Sequence, residues 1–220
     1  MTIELKYKNK IIQQITEVIL PVNYHKNFDR KSDTTSDTGT FYEAENKDLT
    51  SSSVLIPLIW RRNNWKLVMT KRSIQLKKHS GQISFPGGKY DLKDETLYNT
   101  ALRETFEEIG VNFRDIGIFG SLQSHETITG FRIFPYIGII SPDKNLVKNS
   151  EEVEEIFEVP LKFVLNKNRF SRHYLKIKNE KREYLAIPYG SYYIWGATAR
   201  ILYNLSEKFN ERWGAQFENS

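Results

Sequence analysis

The chain has 220 residues, with 32 Lys+Arg against 27 Asp+Glu, four histidines and no cysteine. That length suits one domain with an appendage and is ample for a hydrophobic core. The missing cysteines exclude a disulfide scaffold, a Cys-ligated zinc site, an iron–sulfur cluster and a thiol nucleophile, and a net charge of +5 permits an anionic ligand without demanding nucleic acid.

In chain order, Met1 to Lys6 lacks a basic n-region followed by an apolar run, so no secretory signal is read there. No stretch approaches the ~20 apolar residues of a membrane span. The expected location is the cytoplasm, with no membrane partner. Ile11, Ile12, Ile15, Val18 and Ile19 recur at helical spacing and predict an amphipathic helix over 5–20. Residues 25–53 are rich in Ser, Thr, Asp and Asn and read as a polar linker. The chain thus divides into an N-terminal helix and linker, 1–52, and a main domain, 53–220.

Val54 to Trp60 is a buried-strand pattern, Arg61 to Asn64 a turn, and Trp65 to Met69 the returning strand. A short strand over 82–85 stops at Pro86-Gly87-Gly88, and a helix follows over 96–109. Further strands are expected at 115–121, 131–140, 172–178, 183–188 and 192–195, then a closing helix from Ala197 to Phe209. Interleaved strands and helices make the class α/β or α+β.

The helix over 96–109 carries the chemistry. Glu104, Glu107 and Glu108 stand at i, i+3 and i+4, on one face. Like charges at that spacing cost a few tenths of a kcal/mol each, so helix stability does not favour them. Tyr98, Ala101, Leu102, Thr105, Phe106 and Ile109 form an opposing stripe expected to dock on the core. Clustered carboxylate oxygens on a docked helix suit hard divalent cations such as Mg²⁺ or Mn²⁺. A solvated acidic face is the ordinary reading of E-x-x-E-E. Two neighbours argue otherwise: Arg103 can orient a glutamate by paired hydrogen bonds, and Pro86-Gly87-Gly88 offers a backbone turn that a ligand can approach closely. Gly87-Gly88-Lys89 is not a P-loop, because Ile83 stands where the earlier glycine is required and Tyr90 where Ser or Thr is required.

Gly88-x6-Glu95-x7-Arg103-Glu104-Thr105-x-Glu107-Glu108-x-Gly110-Val111 resembles the Nudix box. The usual box has five residues between its glycine and first glutamate; the six found here are a feature of the coenzyme A diphosphatase branch. Thr105 replaces a commoner aliphatic residue. Leu67 to Ser73, Leu76 to Lys89, Thr100 to Glu104 and Ile194 to Leu202 also resemble that branch, in its order, although Leu92 replaces a proline often found after Asp91. The resemblance spans roughly residues 53–205.

It implies a Nudix α/β/α sandwich with a mixed β-sheet. It also implies a metal-dependent hydrolase that cleaves coenzyme A, or a derivative, to 4′-phosphopantetheine (or its derivative) and adenosine 3′,5′-bisphosphate. Glu104, Glu107 and Glu108 would hold Mg²⁺ or Mn²⁺, Arg103 would position Glu104, and Glu95 would support Arg103 or its loop, or bear indirectly on a metal. Arg72, Lys78, His79, Gly81, Gly87 and Gly88 would meet the substrate. From Arg61 to His79 there are seven Lys/Arg and no Asp or Glu, which would offset the repulsion between an acidic helix and a polyanion. His125 reads as an ordinary loop histidine. A second acidic cluster, Glu151, Glu152, Glu154, Glu155 and Glu158, reads either as a solvated loop or, by the resemblance, as the source of a general base or an extra metal ligand; Glu152 is the first candidate and Glu155 the second.

Three alternatives stay open: the same chemistry on a dinucleoside polyphosphate, nucleotide sugar or damaged nucleotide; a non-catalytic binding module, against which stand the retained box carboxylates; and a basic nucleic-acid-binding protein, for which no binding motif is present. Residues 1–52 could cover the cleft, mediate contacts in a homodimer or simply be tolerated.

Overall fold

A computed structural model describes residues 10–28, 49–76, 79–177 and 180–217. Its main sheet is built around strand β1 (Thr50–Arg61), a hairpin with β2 (Asn64–Arg72), and β7 (Phe131–Ile140), which runs parallel to β1 with Thr50 opposite Phe131 and Ile59 opposite Ile140. Strand β5 (Ile116–Ser121) borders β7 antiparallel, β6 (His125–Glu126) pairs with the start of β7, and β8 (Val153–Pro160) lies antiparallel along β2.

Period two sorts the side chains to two faces. Leu55, Ile59, Val68, Phe134, Tyr136 and Ile140 pack under helix α2 (Leu97–Ile109). Ile56, Leu58, Leu67, Met69, Ile137 and Ile139 face the other way, against α1 (Lys10–Thr16), α3 (Leu161–Leu165) and α4 (Gly196–Phe217), through Ile12, Ile15, Leu165, Leu202 and Phe209. The result is the expected α/β/α sandwich on a mixed sheet. A second, three-stranded sheet of β9 (Ser171–Ile177), β10 (Glu180–Tyr189) and β11 (Tyr192–Trp195) packs through Leu185, Ile187 and Ile194 onto the same core as α4.

The placement of the site follows from a fork in the sheet. β1 pairs with β2 only at residues 58–61, and the two strands part toward the start of β1. Into the gap run β3 (Ile83–Ser84), paired with Thr70 and Lys71, and β4 (Gly87–Lys89), paired with Ser52 to Val54. The Pro86 carbonyl accepts from Leu55 N–H at 3.0 Å, which pins the turn. The polar run Ser51 to Ser53 is strand rather than linker because β4 and β7 satisfy its backbone from both sides.

Four other expectations need correction. The acidic stretch before Pro160 is strand β8, with Val153, Phe157 and Val159 buried. Phe106 is not core but 54% exposed. The closing helix runs on to Phe217. The N-terminal helix is described only over Lys10–Thr16, yet its Ile12 and Ile15 are fully buried in the main core; the linker residues 29–48 lie outside the described residues.

Candidate active site

Helix α2 begins at Thr96, whose hydroxyl accepts from Asn99 N–H at 3.1 Å, and ends at Gly110 in the left-handed conformation a helix stop requires. Thr105, in place of an aliphatic residue, is buried and returns its hydroxyl to the Ala101 carbonyl at 2.6 Å. The three box glutamates meet graded environments. The Glu107 side chain is 43% exposed and that of Glu104 14%. Glu108 is 1% exposed, under the glycine turn.

Arg103 organises this face. Its Nη1 donates to Glu104 Oε1 at 2.7 Å and to Glu107 Oε2 at 2.9 Å. On its other side, Nε and Nη2 donate to Asp94 Oδ1 and Oδ2 at 2.8 and 2.9 Å, a bidentate fork. The support expected from Glu95 therefore comes from Asp94. Glu95 is exposed, with a left-handed φ of 63°, and makes no side-chain hydrogen bond or ion pair among the described residues. Sequence reasoning passed over Asp94, though it carried a signal: five residues separate Asp94 from Gly88, the usual box spacing.

The two glycines are held to their identity by contact. A Cβ on Gly88 would lie 2.3–2.4 Å from the carboxylate atoms of Glu104. One on Gly87 would lie 2.5 Å from the Ser53 carbonyl oxygen. Gly87 N–H points to Glu108 Oε1 at 3.4 Å, and the Thr70 hydroxyl donates to Glu108 Oε2 at 3.3 Å. Arg72 Nη1 lies 3.9 Å from Glu108 Oε1, and Arg72 Nε is buried without a hydrogen-bond partner among the described residues.

Strand β8 thins out the second acidic cluster. Glu154 pairs with Lys71 at 2.8 Å, Glu158 with Arg61 at 3.5 Å, and Glu155 accepts from the Tyr192 hydroxyl at 2.6 Å. The Glu152 carbonyl accepts from Ser73 N–H at 2.8 Å, which ties this residue to the end of β2. The charge of Glu152 is felt at both Glu104 and Glu108. Burial pushes the Glu108 carboxyl up to about 7; Gly87 N–H and Arg72 oppose this, while Glu104 and Glu152 add to it. Burial also raises Glu104, with Glu107 and Glu152 adding, against the pull of Arg103.

The structure thus brings together Arg72, Gly87, Gly88, Arg103, Glu104, Glu107, Glu108 and Glu152. Gly81 and His79 lie on the adjoining loop; Gly81 N–H donates to the Arg72 carbonyl at 3.2 Å, and the exposed His79 bonds Gln82 at 2.8 Å. Lys78 lies outside the described residues. An open cleft of about 490 Å³ beside the helix is lined by Lys89, Tyr90, Asp91, Leu92, Arg103, Glu104 and Glu107. His125 sits in β6, half-buried, and burial holds it down to about 4.

The carboxylates do not stand as a ready-made ligand cage, and among the described residues no group of three or more His, Asp or Glu does so. The reason is local: Arg103 Nη1 occupies the space between Glu104 and Glu107, and Glu108 turns inward. The donor chemistry nevertheless fits a hard divalent cation. Three carboxylates lie on one helix, and burial and repulsion raise two of them, Glu104 and Glu108, a disfavour of negative charge that a cation relieves.

Residues 50–177 match the NUDIX domain family. The chain belongs to the Nudix hydrolase family. It is 39% identical over 158 residues to a protein of Enterobacter sp. (strain 638) named uncharacterized Nudix hydrolase NudL, covering 70% of this chain and 80% of that one. A NudL of the same description from Yersinia enterocolitica is also 39% identical, over 163 residues, covering 72% and 81%. Among solved structures, the MutT protein from Methanosarcina mazei Go1 aligns at a TM-score of 0.48 and 18% identity, covering 76% of this chain and 96% of that one. A Nudix domain of Shewanella oneidensis NrtR, complexed with ADP ribose, aligns at 0.45 and 20% identity, covering 57% and 81%. Nudix hydrolases in general use divalent metal ions. Among the described residues no helix is long and apolar enough to cross a membrane.

Proposed function

We propose that this Nudix hydrolase is a cytoplasmic coenzyme A diphosphatase, dependent on Mg²⁺ or Mn²⁺. It hydrolyses coenzyme A or a derivative to 4′-phosphopantetheine, or its derivative, and adenosine 3′,5′-bisphosphate. The observation that carries the chemistry is the placing of Glu104 and Glu108 against the Gly87–Gly88 turn, with Arg103 joining Glu104 to Glu107. The choice of coenzyme A rests on the stretches Leu67 to Lys89 and Ile194 to Leu202, which resemble that branch of the family.

Glu104, Glu107 and Glu108 hold the cation in this scheme. Bound there, it supplies charge neutralisation, activation of water and stabilisation of the leaving phosphate. Arg103 keeps Glu104 and Glu107 aimed at one region. The bare backbone at Gly87 and Gly88 lets the diphosphate approach. Arg72, whose Nε lacks a partner among the described residues, donates to a phosphate oxygen; His79 and Gly81 lie on the adjoining loop, and Lys78 is assigned to the phosphates from its place in the sequence. Glu152 takes a proton from the attacking water. The new phosphorus–oxygen bond forms as the P–O–P anhydride breaks, and the leaving phosphate carries off the electron pair.

The test is product analysis by chromatography, with coenzyme A and Mg²⁺ or Mn²⁺, and Glu108→Gln as control. Adenosine 3′,5′-bisphosphate formed only by wild type with metal is the expected result. Cleavage of a dinucleoside polyphosphate or nucleotide sugar but not of coenzyme A would discard the substrate and keep the chemistry. No hydrolysis of any such compound would overturn both.

A further inference from the structure

The box of this chain presents two adjacent acids, Asp94 and Glu95, of which Glu95 matches the six-residue spacing and Asp94 the five-residue one. The fold treats them in opposite ways. Asp94 closes a turn of 3-10 helix, Leu92–Asp94, through a reciprocal capping box. The Asp91 side chain accepts from Lys93 N–H at 3.0 Å, and Asp94 Oδ2 accepts from Asp91 N–H at 3.3 Å. The same Oδ2 accepts from the Thr100 hydroxyl at 2.8 Å and from Arg103 Nη2 at 2.9 Å, while Oδ1 accepts from Arg103 Nε at 2.8 Å. The Asp94 side chain is only 6% exposed. Burial raises its carboxyl, but the bonds from Arg103, Thr100 and Asp91, with the charge of Arg103, overcome this and hold it below the usual range.

The next residue absorbs the extra length. Glu95 takes φ 63° and ψ −35°, and its N–H closes the turn on the Leu92 carbonyl at 3.2 Å. A left-handed conformation at a glutamate is uncommon, and here it lets helix α2 start at Leu97 while Asp94 remains beside Arg103. The Glu95 side chain is left in solvent.

We propose that Asp94, and not Glu95, is the positioning residue of the box. It fixes the guanidinium plane of Arg103, so that Nη1 falls between Glu104 and Glu107 and sets where their oxygens point. The physical reason is the fork. Two parallel charge-assisted bonds fix both the position and the rotation of a guanidinium, whereas a single contact leaves it free to turn. Thr100 and Asp91 in turn fix the carboxylate, so rigidity passes from the capping box to the metal-binding face. The inference rests on the proposed role of the box carboxylates, but not on which compound is cleaved.

The test compares Asp94→Asn with Glu95→Gln, which remove the same charge one residue apart. Two readouts are taken: Mn²⁺ affinity of the full-length protein by calorimetry, and kcat and KM on whichever diphosphate compound the wild type cleaves. Asp94→Asn is expected to weaken Mn²⁺ binding by about tenfold and lower kcat by about 10²-fold, with KM within about threefold, because loss of transition-state alignment acts on kcat. Glu95→Gln should stay within about twofold of wild type on every measure. In an Arg103→Ala background, Asp94→Asn should cost nothing further, since the two act as a unit. Thr100→Val, which removes one restraint on Asp94 at similar volume, should lower kcat by less than Asp94→Asn but by more than Glu95→Gln; this keeps the test alive should Asp94→Asn fold poorly. Equal losses in the two acid variants, or a larger loss in Glu95→Gln, would overturn the proposal. Wild type that binds Mn²⁺ but cleaves nothing would defeat the enzymatic reading, while the Mn²⁺ comparison still decides between Asp94 and Glu95.

Discussion

Replacing Glu108 by glutamine should stabilise the metal-free protein while abolishing its activity. Glu108 is 1% exposed and its carboxyl is pushed by burial from 4.5 up to about 7. The folded state therefore holds this proton more tightly than the unfolded chain does. The contribution favours folding below about pH 4.5, and it is lost as pH rises through about 7. Above that the ionised carboxylate destabilises the fold by about 3 kcal/mol, since each tenfold change in proton affinity is worth about 1.4 kcal/mol. Glutamine keeps the shape and an acceptor for the Gly87 N–H or the Thr70 hydroxyl, and it removes the charge. In urea unfolding with EDTA at about pH 8, Glu108→Gln should gain about 1–3 kcal/mol, allowing for relaxation around the site. The gain should shrink toward zero near pH 4.5. Taking the difference between variant and wild type at each pH cancels the other titrating groups. A variant no more stable than wild type at pH 8, or a gain that does not vary with pH, would refute the reasoning. The sign matters for function, because a buried charge that destabilises the empty fold is one that a cation stabilises when it binds.

Gly88→Ala should lower kcat about 10²-fold with little change in melting temperature, because its Cβ displaces the Glu104 carboxylate by about 1 Å and leaves the backbone alone; near-normal turnover would refute this. As a matched control, Gly117→Ala meets nothing within 4 Å and should leave turnover unchanged. Arg72→Ala should raise KM about tenfold through loss of a charge-assisted phosphate contact, and Lys78→Ala should raise it in the same direction; an unchanged KM in both would remove these residues from the site. Glu152→Gln should lower kcat about 10²-fold and flatten the acidic limb of the pH–rate profile; a normal profile would exclude it as the base. His25 is buried against Phe134 and Tyr136, and burial lowers it to about 4 despite its bond to the Leu122 carbonyl. Its contribution to stability is present above about pH 6.5 and is lost as pH falls toward about 4. Thermal melts should show that loss in wild type and a flatter acid limb in His25→Gln.

Much of this was legible in the residues. Strands β1, β2, β7, β10 and β11 announce themselves by apolar runs or alternation, and the i, i+3, i+4 glutamates lie on one helix face wherever that helix docks. Strand β8 was hidden because its three glutamates, Glu154, Glu155 and Glu158, mask the alternation of Val153, Phe157 and Val159. Their charges are tolerated only because Lys71, Arg61 and Tyr192 arrive from other elements. Phe106 fits the apolar stripe by spacing alone, yet the helix turns Glu108 inward and leaves Phe106 in solvent.

The sequence by itself determined the family, the class of fold and the set of acids available for catalysis, since these depend on residue type and local spacing. Tertiary structure decided which acid does what. The fork between β1 and β2 sets the glycine turn over Glu108 and raises its carboxyl. The left-handed Glu95 hands the Arg103 contact to its neighbour Asp94. Burial and hydrogen-bond partners are properties of the packed chain, and a string of letters holds them only once it has folded.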